Sequence, residues 1–166
     1  MLHQTIEADN YQALPATTRV WIYQSNQPFS EEDIPAVRQK IKDFVVSWAS
    51  HGRQLHAFGD LFYKQFVVLM VDENAAGASG CSIDSSVYFL KGLQAEYQVD
   101  LFDRMTFTYL DGEAVKSAPR ALFRQLYQEG KIDDSTKVFD TLVNTKADFE
   151  DSWIKPLSES WHKRMV

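Results

Sequence analysis

The stretch QLHAFGDLFYKQFVVLMVD, residues 54–72, contains two strand-forming runs that are separated only by the dipeptide KQ. A connection this short predicts antiparallel pairing of the two strands through a tight turn. The second run, FVVLMVD, is apolar on both faces, which is typical of a central strand that is covered on both sides. The first run carries His56, Gly59 and Asp60, which an edge strand tolerates better than a central one.

Strand and helix patterns alternate on either side of this hairpin. The β-branched and aromatic residues at 19–24 predict a strand, and the alternation in MTFTYL at 105–110 predicts another. Ser30 precedes apolar residues at helical spacing, which predicts a helix that Gly52 ends. A second helix is predicted after the loop 73–80. The buried face of that second helix is expected to comprise Ile83, Val87, Leu90, Leu93 and Tyr97.

The order strand, helix, strand, strand, helix, strand is that of a ferredoxin-like α+β sandwich with a βαββαβ core. In that topology the first and third strands are parallel neighbours at the centre of the sheet, and here they are the two most apolar strands. The DG dipeptide at 111–112 predicts an added hairpin strand, and Pro119 and Thr145 begin C-terminal helices. Residues 1–16 are predicted to form a flexible N-terminal arm, and residues 17–166 a single α+β domain.

The composition argues against several classes of partner. The chain has 23 acidic and 17 basic residues, and the basic residues are scattered, which disfavours a nucleic-acid footprint. Its longest strongly apolar run, at 66–71, is far shorter than the ~20 residues of a membrane-spanning helix. A single cysteine and the lack of a secretory leader are typical of the reducing cytoplasm. The sequence therefore predicts a soluble cytoplasmic protein with neither a membrane nor a nucleic-acid partner.

The candidate site lies where two predicted helices begin. In the ferredoxin-like topology the loops 25–29 and 73–80 leave the same end of the sheet, and each leads into a helix N-terminus. The positive ends of two helix dipoles would then converge and favour a small anionic ligand. The predicted ligand-binding residues are Ser25, Asn26, Gly80, Cys81, Ser82 and Asp84.

Two other interpretations of these loops remain open. Ser82 and Asp84 are also the residue types that cap a helix and complement its dipole, and in that role they need no ligand. The same end of the sheet would equally suit a protein partner, and a homodimer is expected. No cofactor is predicted.

Cys81 is the candidate catalytic residue if the protein is an enzyme. A thiol at a helix N-terminus can become a reactive thiolate and act as a nucleophile. The reaction would also need a base, but the 4 histidines lie far apart in sequence and none can be assigned to Cys81. The alternative is a small residue that packs under the helix.

A metal site on the first run of the hairpin is the next interpretation to weigh. His56 and Asp60 share one face of that strand, and Cys81 or His51 could add ligands. The chain has no HxxxH, CxxC or HExxH pattern, so the spacing favours solvent-facing edge residues instead. No metal is predicted.

Aromatic side chains suggest a different use for the sheet. Trp21 and Tyr23 share one face of the first strand, and Phe58 and Phe62 share a face of the second. An uncovered aromatic face could bind a nucleotide or nucleic acid. The alternative is that the face is covered, either by a second copy of the chain or by Phe149, Trp153, Leu157 and Trp161.

Five stretches, VWIYQSN, SWASHG, GCSIDSSV, LVNT and ESWHKR, resemble a small family of bacterial proteins of about this length. Members of that family often carry the label ABC transporter ATPase, and the resemblance covers the chain from Arg19 onward. An ATPase of that class needs a GxxxxGK[ST] loop to hold the phosphates and magnesium. The closest stretch, GASGCS at 77–82, has neither the lysine nor the spacing. The label is therefore rejected as a description of chemistry.

Overall fold

The computed structural model describes residues 11–74 and 76–166, and its fold is mixed α+β. The strands are β1 (Arg19–Gln24), β2 (Ala49–Ser50), β3 (Arg53–Gln54), β4 (His56–Phe62), β5 (Phe66–Asp72), β6 (Thr106–Asp111), β7 (Ala114–Pro119), β8 (Lys137–Phe139) and β9 (Ile154–Pro156). The helices are α1 (Ile34–Ser47), α2 (Gly80–Tyr97), α3 (Arg120–Gln128) and α4 (Lys146–Ser152), followed by two 3-10 helices, Leu157–Glu159 and Trp161–Met165.

The predicted hairpin at 54–72 is confirmed. β4 and β5 pair antiparallel, with His56 opposite Asp72 and Phe62 opposite Phe66. The turn between them uses positive φ angles at Tyr63 and Lys64, which is the backbone of a tight hairpin turn built without glycine. β5 is the central strand of a three-stranded sheet, in the order β1-β5-β4, and its residues are buried from Phe66 to Val71, as the doubly apolar pattern predicts.

The predicted parallel pair at the centre of the sheet is wrong. β1 pairs antiparallel with β5, with Arg19 opposite Val71 and Gln24 opposite Phe66. β6 does not join this sheet but belongs to a second one, in the order β7-β6-β8-β9. The single βαββαβ sheet is therefore not formed. Burial on both faces identifies a central strand but carries no information about the direction of its neighbour.

Helices α1 and α2 cover one face of the three-stranded sheet. Gly59 permits close approach of α1, since a Cβ atom there would lie 2.8 Å from Val45 Cγ1 and 2.9 Å from Ile41 Cγ2. The predicted stop of the first helix is wrong at Gly52, because α1 ends at Ser47 and Gly52 instead lies in the turn between β2 and β3. The buried residues of α2 are Ser82, Ser86, Leu90 and Leu93, so its buried face includes the two predicted leucines but not Ile83 or Val87.

The C-terminal part of the chain covers the other face of that sheet. Phe58 and Phe62 are buried against Phe149 and Trp153, as the covered-face alternative expected. Leu157 packs elsewhere, in the core between α3 and the second sheet. Trp21 and Tyr23 face the α1 and α2 side, so the sheet does not gather its aromatic residues on one face. The uncovered face that a nucleotide would need is not present among residues 11–74 and 76–166.

The boundary of the predicted N-terminal arm needs correction. Residues 1–10 lie outside the described part of the chain, but Tyr11 and Leu14 pack in the core with Phe58 and Phe149. The backbone of Ala16 also accepts a hydrogen bond from the Ala147 amide, at 3.0 Å. The segment 11–16 is therefore part of the folded domain and not of a free arm.

Candidate functional site

The antiparallel pairing of β1 and β5 separates the two halves of the predicted anion site. Ser25 follows β1 and lies beside the start of β5, whereas Gly80 follows the far end of β5. Asn26 and Asp100 join their backbones at the C-terminal end of α2, where Asp100 N also donates to Asn26 Oδ1 at 2.9 Å. With 18 residues, α2 places Gly80 about 27 Å from that end. The paired-loop site is therefore wrong.

The residues at the start of α2 cap the helix. Ser79 Oγ accepts a hydrogen bond from the Ser82 amide, and Ser82 Oγ accepts one from the Ser79 amide, so the two serines form a reciprocal cap. The Ser82 carbonyl accepts a further hydrogen bond from Trp48 Nε1, at 2.8 Å. Asp84, four residues after the first residue of α2, is exposed. The Ser82 amide already has a partner, which supports capping over anion binding.

Cys81 lies in the first turn of α2 and is exposed. The interpretation that it packs under the helix is therefore wrong. The exposed thiol could react with small molecules in solution, but the described contacts of the chain pair it with no histidine.

The metal candidates on β4 are occupied by other partners. Asp60 is fully buried, not solvent-facing as expected, and it binds the Arg38 guanidinium through both carboxylate oxygens at 2.9 Å. His56 Nδ1 lies 3.4 Å from Asp72 Oδ2 across the hairpin. Within the described ranges, no group of three or more His, Cys, Asp or Glu side chains is placed to hold a metal ion.

A cavity of about 310 Å³ lies where β1, the loop 101–106 and the C-terminal 3-10 helix meet. Its apolar wall includes Ile22, Phe102, Phe107, Phe139, Leu142 and Trp161. Its polar groups come from Gln24, Asp103, Arg104, Thr106, Thr141 and His162. A concave, mainly apolar site with a few polar groups is the usual form of a small-molecule site.

A buried polar network forms the wall behind Gln24 and joins the two sheets. Gln24 Nε2 donates to the Thr106 carbonyl at 2.7 Å, and Gln24 Oε1 accepts from Thr108 Oγ1 at 2.9 Å. Ser117 Oγ lies 2.8 Å from Thr108 Oγ1 and accepts from Gln65 Nε2 at 2.8 Å. A buried network in which each member has a partner rigidifies the structure around it. This wall of the cavity is therefore preformed.

His162 is the titratable group most deeply buried in the cavity wall, with 1% of its surface exposed. Its ring stacks on Trp161 with the ring centroids 3.7 Å apart. Its Nδ1 lies 2.6 Å from Ser160 Oγ, which leaves Nε2 as the ring nitrogen that bonds to no described residue. Burial lowers the pKa of His162 from 6.5 to about 4, so the imidazole is neutral at physiological pH.

Asp140 fixes the C-terminal 3-10 helix against the cavity. Its Oδ1 accepts from Trp161 Nε1 and from the Leu142 amide, each at 2.9 Å, and its Oδ2 accepts from Lys155 Nζ at 2.7 Å. Burial raises the pKa of Asp140, but these hydrogen bonds outweigh burial and hold the pKa below its usual value. Asp140 thus positions Trp161, and none of its described hydrogen bonds comes from the His162 ring.

The mouth of the cavity carries an unpaired cation. Arg104 is exposed and makes no ion pair or hydrogen bond with a described residue through its guanidinium. The neighbouring Asp103 is engaged instead, since it accepts hydrogen bonds from the Met105 amide and from Thr106 Oγ1. Leu142 also lines the cavity and is 69% exposed. Arg104 is thus the charged group that an entering ligand meets.

Comparison with protein-family models, with curated proteins and with solved structures finds no significant match to this chain. The fold and the cavity define the class of the protein without such a match: it is a mixed α+β protein with a polar and aromatic cleft between its two larger sheets. In the described part of the chain, none of the helices has the length and apolar composition needed to cross a membrane. The family resemblance of the sequence stays a prediction.

Sequence reasoning missed the main residues of this cavity. Gln24 and Thr106 are 82 positions apart in the chain, and no local pattern links them. The residues HKR at 162–164 are all of basic type, but His162 is buried and only Lys163 and Arg164 are exposed. The one sequence feature at this position is a histidine directly after a tryptophan, in a chain with 4 histidines. That feature alone does not indicate a buried histidine in a cavity wall.

Proposed function

We propose that this protein binds a small molecule with a flat apolar body and one anionic group in the cavity between β1 and the C-terminal 3-10 helix. The observation that carries the proposal is that the lining of one cavity contains both a buried His162 and an exposed Arg104 whose guanidinium has no partner among the described residues. The sequence also predicted a small anionic ligand, but at the N-terminus of α2. We place that ligand in this cavity instead.

The volume limits the size of the ligand. A cavity of about 310 Å³ is at the small end of the range of ligand pockets, which is about 300–1,000 Å³. That space suits a single aromatic ring with a short polar substituent. The ring would lie among the apolar and aromatic walls, while the anionic group would meet Arg104 at the mouth.

The proposed ligand would bind while His162 is neutral. Because the imidazole is neutral at physiological pH, it offers a hydrogen bond through Nε2 and no positive charge. The anionic charge of the ligand must then be balanced by Arg104, which always carries its charge. Removal of the Arg104 side chain should therefore lower the affinity for an anionic ligand but not for a neutral ligand of the same shape.

The experiment is a calorimetric and thermal-shift screen of benzoate, 4-hydroxybenzoate, indole-3-acetate and phenyl phosphate, each compared with its neutral amide or alcohol analogue. A ligand at 100 times its dissociation constant should stabilise the protein by about 2.7 kcal/mol. Arg104→Ala should weaken binding of the anion by about tenfold and leave the neutral analogue unchanged, since a charged hydrogen bond contributes about 1.5 kcal/mol. Lys91→Ala, which removes an exposed lysine on α2, is the matched control.

A pair of tryptophan variants tests whether the ligand binds in this cavity. Leu142→Trp should fill the mouth of the cavity and abolish binding without disturbing the core, because Leu142 is 69% exposed. Leu122→Trp adds the same side chain at an exposed position outside the cavity and should bind normally. If ligands bind equally to both tryptophan variants, or if no compound binds at millimolar concentration, this function is excluded.

A further inference from the structure

A second surface feature is an open groove along helix α3, separate from the cavity. We call it the α3 groove, and its lining includes Met105, Arg120, Arg124, Gln125 and Gln128. Met105 is 58% exposed at the groove and supplies apolar surface. None of the described residues that line the groove is acidic. The groove is therefore basic, although the chain has a net charge of −6.

The two arginines of the groove lack the partners that many other basic side chains of the protein have. Arg120 and Arg124 are exposed one helical turn apart, and neither side chain makes an ion pair or hydrogen bond with a described residue. By contrast, Lys64, Lys116 and Lys163 on the same protein each bind a carboxylate.

The location of one of these cations, Arg120, also opposes the helix dipole. Arg120 is the first residue of the nine-residue helix α3, which has no side-chain cap at Pro119, and Arg124 lies one turn later at the middle of the helix. Positive side chains near a helix N-terminus destabilise it by up to about 1 kcal/mol each. Arg120 therefore does not stabilise the start of α3, and an anionic partner would compensate for its charge.

We propose that the α3 groove binds an acidic peptide segment of a partner protein, in extended conformation, with carboxylates on alternate residues. Arginines one turn apart on a helix have Cβ atoms about 5–6 Å apart, and alternate residues of an extended strand lie about 6.7 Å apart. Two carboxylates of the peptide can thus face Arg120 and Arg124 together.

The test is fluorescence anisotropy with a fluorescein-labelled octapeptide in which Glu and Leu alternate. Two control peptides have the same composition with the glutamates in one block, or alternate Lys with Leu. We expect the alternating acidic peptide to bind most tightly and the binding to weaken as salt rises, since the contacts are exposed ion pairs. Arg124→Glu should weaken the binding about tenfold and Arg124→Gln less, whereas Lys91→Glu, a charge reversal on α2, should change it less than twofold.

Three results would overturn the proposal. The first is equal peptide affinity of Arg124→Glu and Lys91→Glu, which would make the attraction a property of the whole surface. The second is tighter binding of heparin or a single-stranded oligonucleotide than of the peptide, which would make the groove a phosphate site. The third is a wild-type dimer in sedimentation that Arg124→Glu converts to a monomer, because a second copy of this chain would then cover the groove.

Discussion

Lowering the pH from 7 to 4.5 should destabilise the protein through His162. The folded protein holds this imidazole neutral, with its pKa lowered from 6.5 to about 4 by burial, while the unfolded chain takes up a proton below pH 6.5. The contribution of the neutral ring is fully present above pH 6.5 and is lost as the pH falls towards 4. The difference between 6.5 and about 4, at ~1.4 kcal/mol for each pH unit, gives a total loss of about 3 kcal/mol. About 2 kcal/mol of that loss falls between pH 7 and pH 4.5.

The assay compares urea unfolding of the wild type with that of His162→Phe at both pH values. Phenylalanine keeps a ring against Trp161 but cannot take up a proton, so the variant should lose about 2 kcal/mol less than the wild type over this range. The other histidines are common to both proteins and cancel in the comparison. Asp140 has a lowered pKa, so its contribution disappears mainly below this range. A parallel loss of stability in the two proteins would refute the assignment of a buried neutral His162.

Three further predictions test the packing around the hairpin and the helix start. Gly59→Ala should lower the free energy of unfolding by about 1–3 kcal/mol, because its Cβ would lie 2.8 Å from Val45 Cγ1; urea unfolding measures this, and a neutral effect would mean that α1 can move away. Asp60→Asn should lower it by about 2 kcal/mol in the same assay, since it removes the fully buried carboxylate that binds Arg38 through two hydrogen bonds; an unchanged midpoint would contradict that role. Cys81 should react completely with Ellman's reagent in the folded protein, because its side chain is exposed, and a thiol that reacts only in urea would contradict this placement.

The sequence predicted what short-range patterns can determine. The hairpin at 54–72 follows from two strand-forming runs with almost no residues between them, and the structure contains it. The helices that Pro119 and Thr145 introduce are also present, and Thr145 Oγ1 accepts the Asp148 amide as a helix cap does. After Pro156, however, the chain forms only 3-10 helices instead of a longer C-terminal helix. Local residue types thus located most elements, although they did not fix the length of the last one.

Local sequence patterns could not predict the direction of β1 relative to β5, and they could not predict the candidate site. A buried strand has the same apolar pattern beside a parallel or an antiparallel neighbour, so nothing in residues 19–24 indicated which one forms. The prediction that Asp60 faces solvent failed for a related reason. The edge position of β4 was right, but the sequence did not show that Arg38 would cover its carboxylate. The alternation of a strand gives the face of each side chain, not the element that packs against it.

The cavity depends on segments that come together only when the whole chain is folded. Gln24 and Gln65 belong to the first sheet and its hairpin turn, Thr108 and Ser117 to the second sheet, and His162 to the end of the chain. A ligand bound as proposed would contact residues from both larger sheets and from the C-terminal 3-10 helix, so its binding would stabilise their association. Binding should therefore raise the midpoint of global unfolding, and not merely protect one loop. For this reason a thermal shift is a suitable measure of the proposed function.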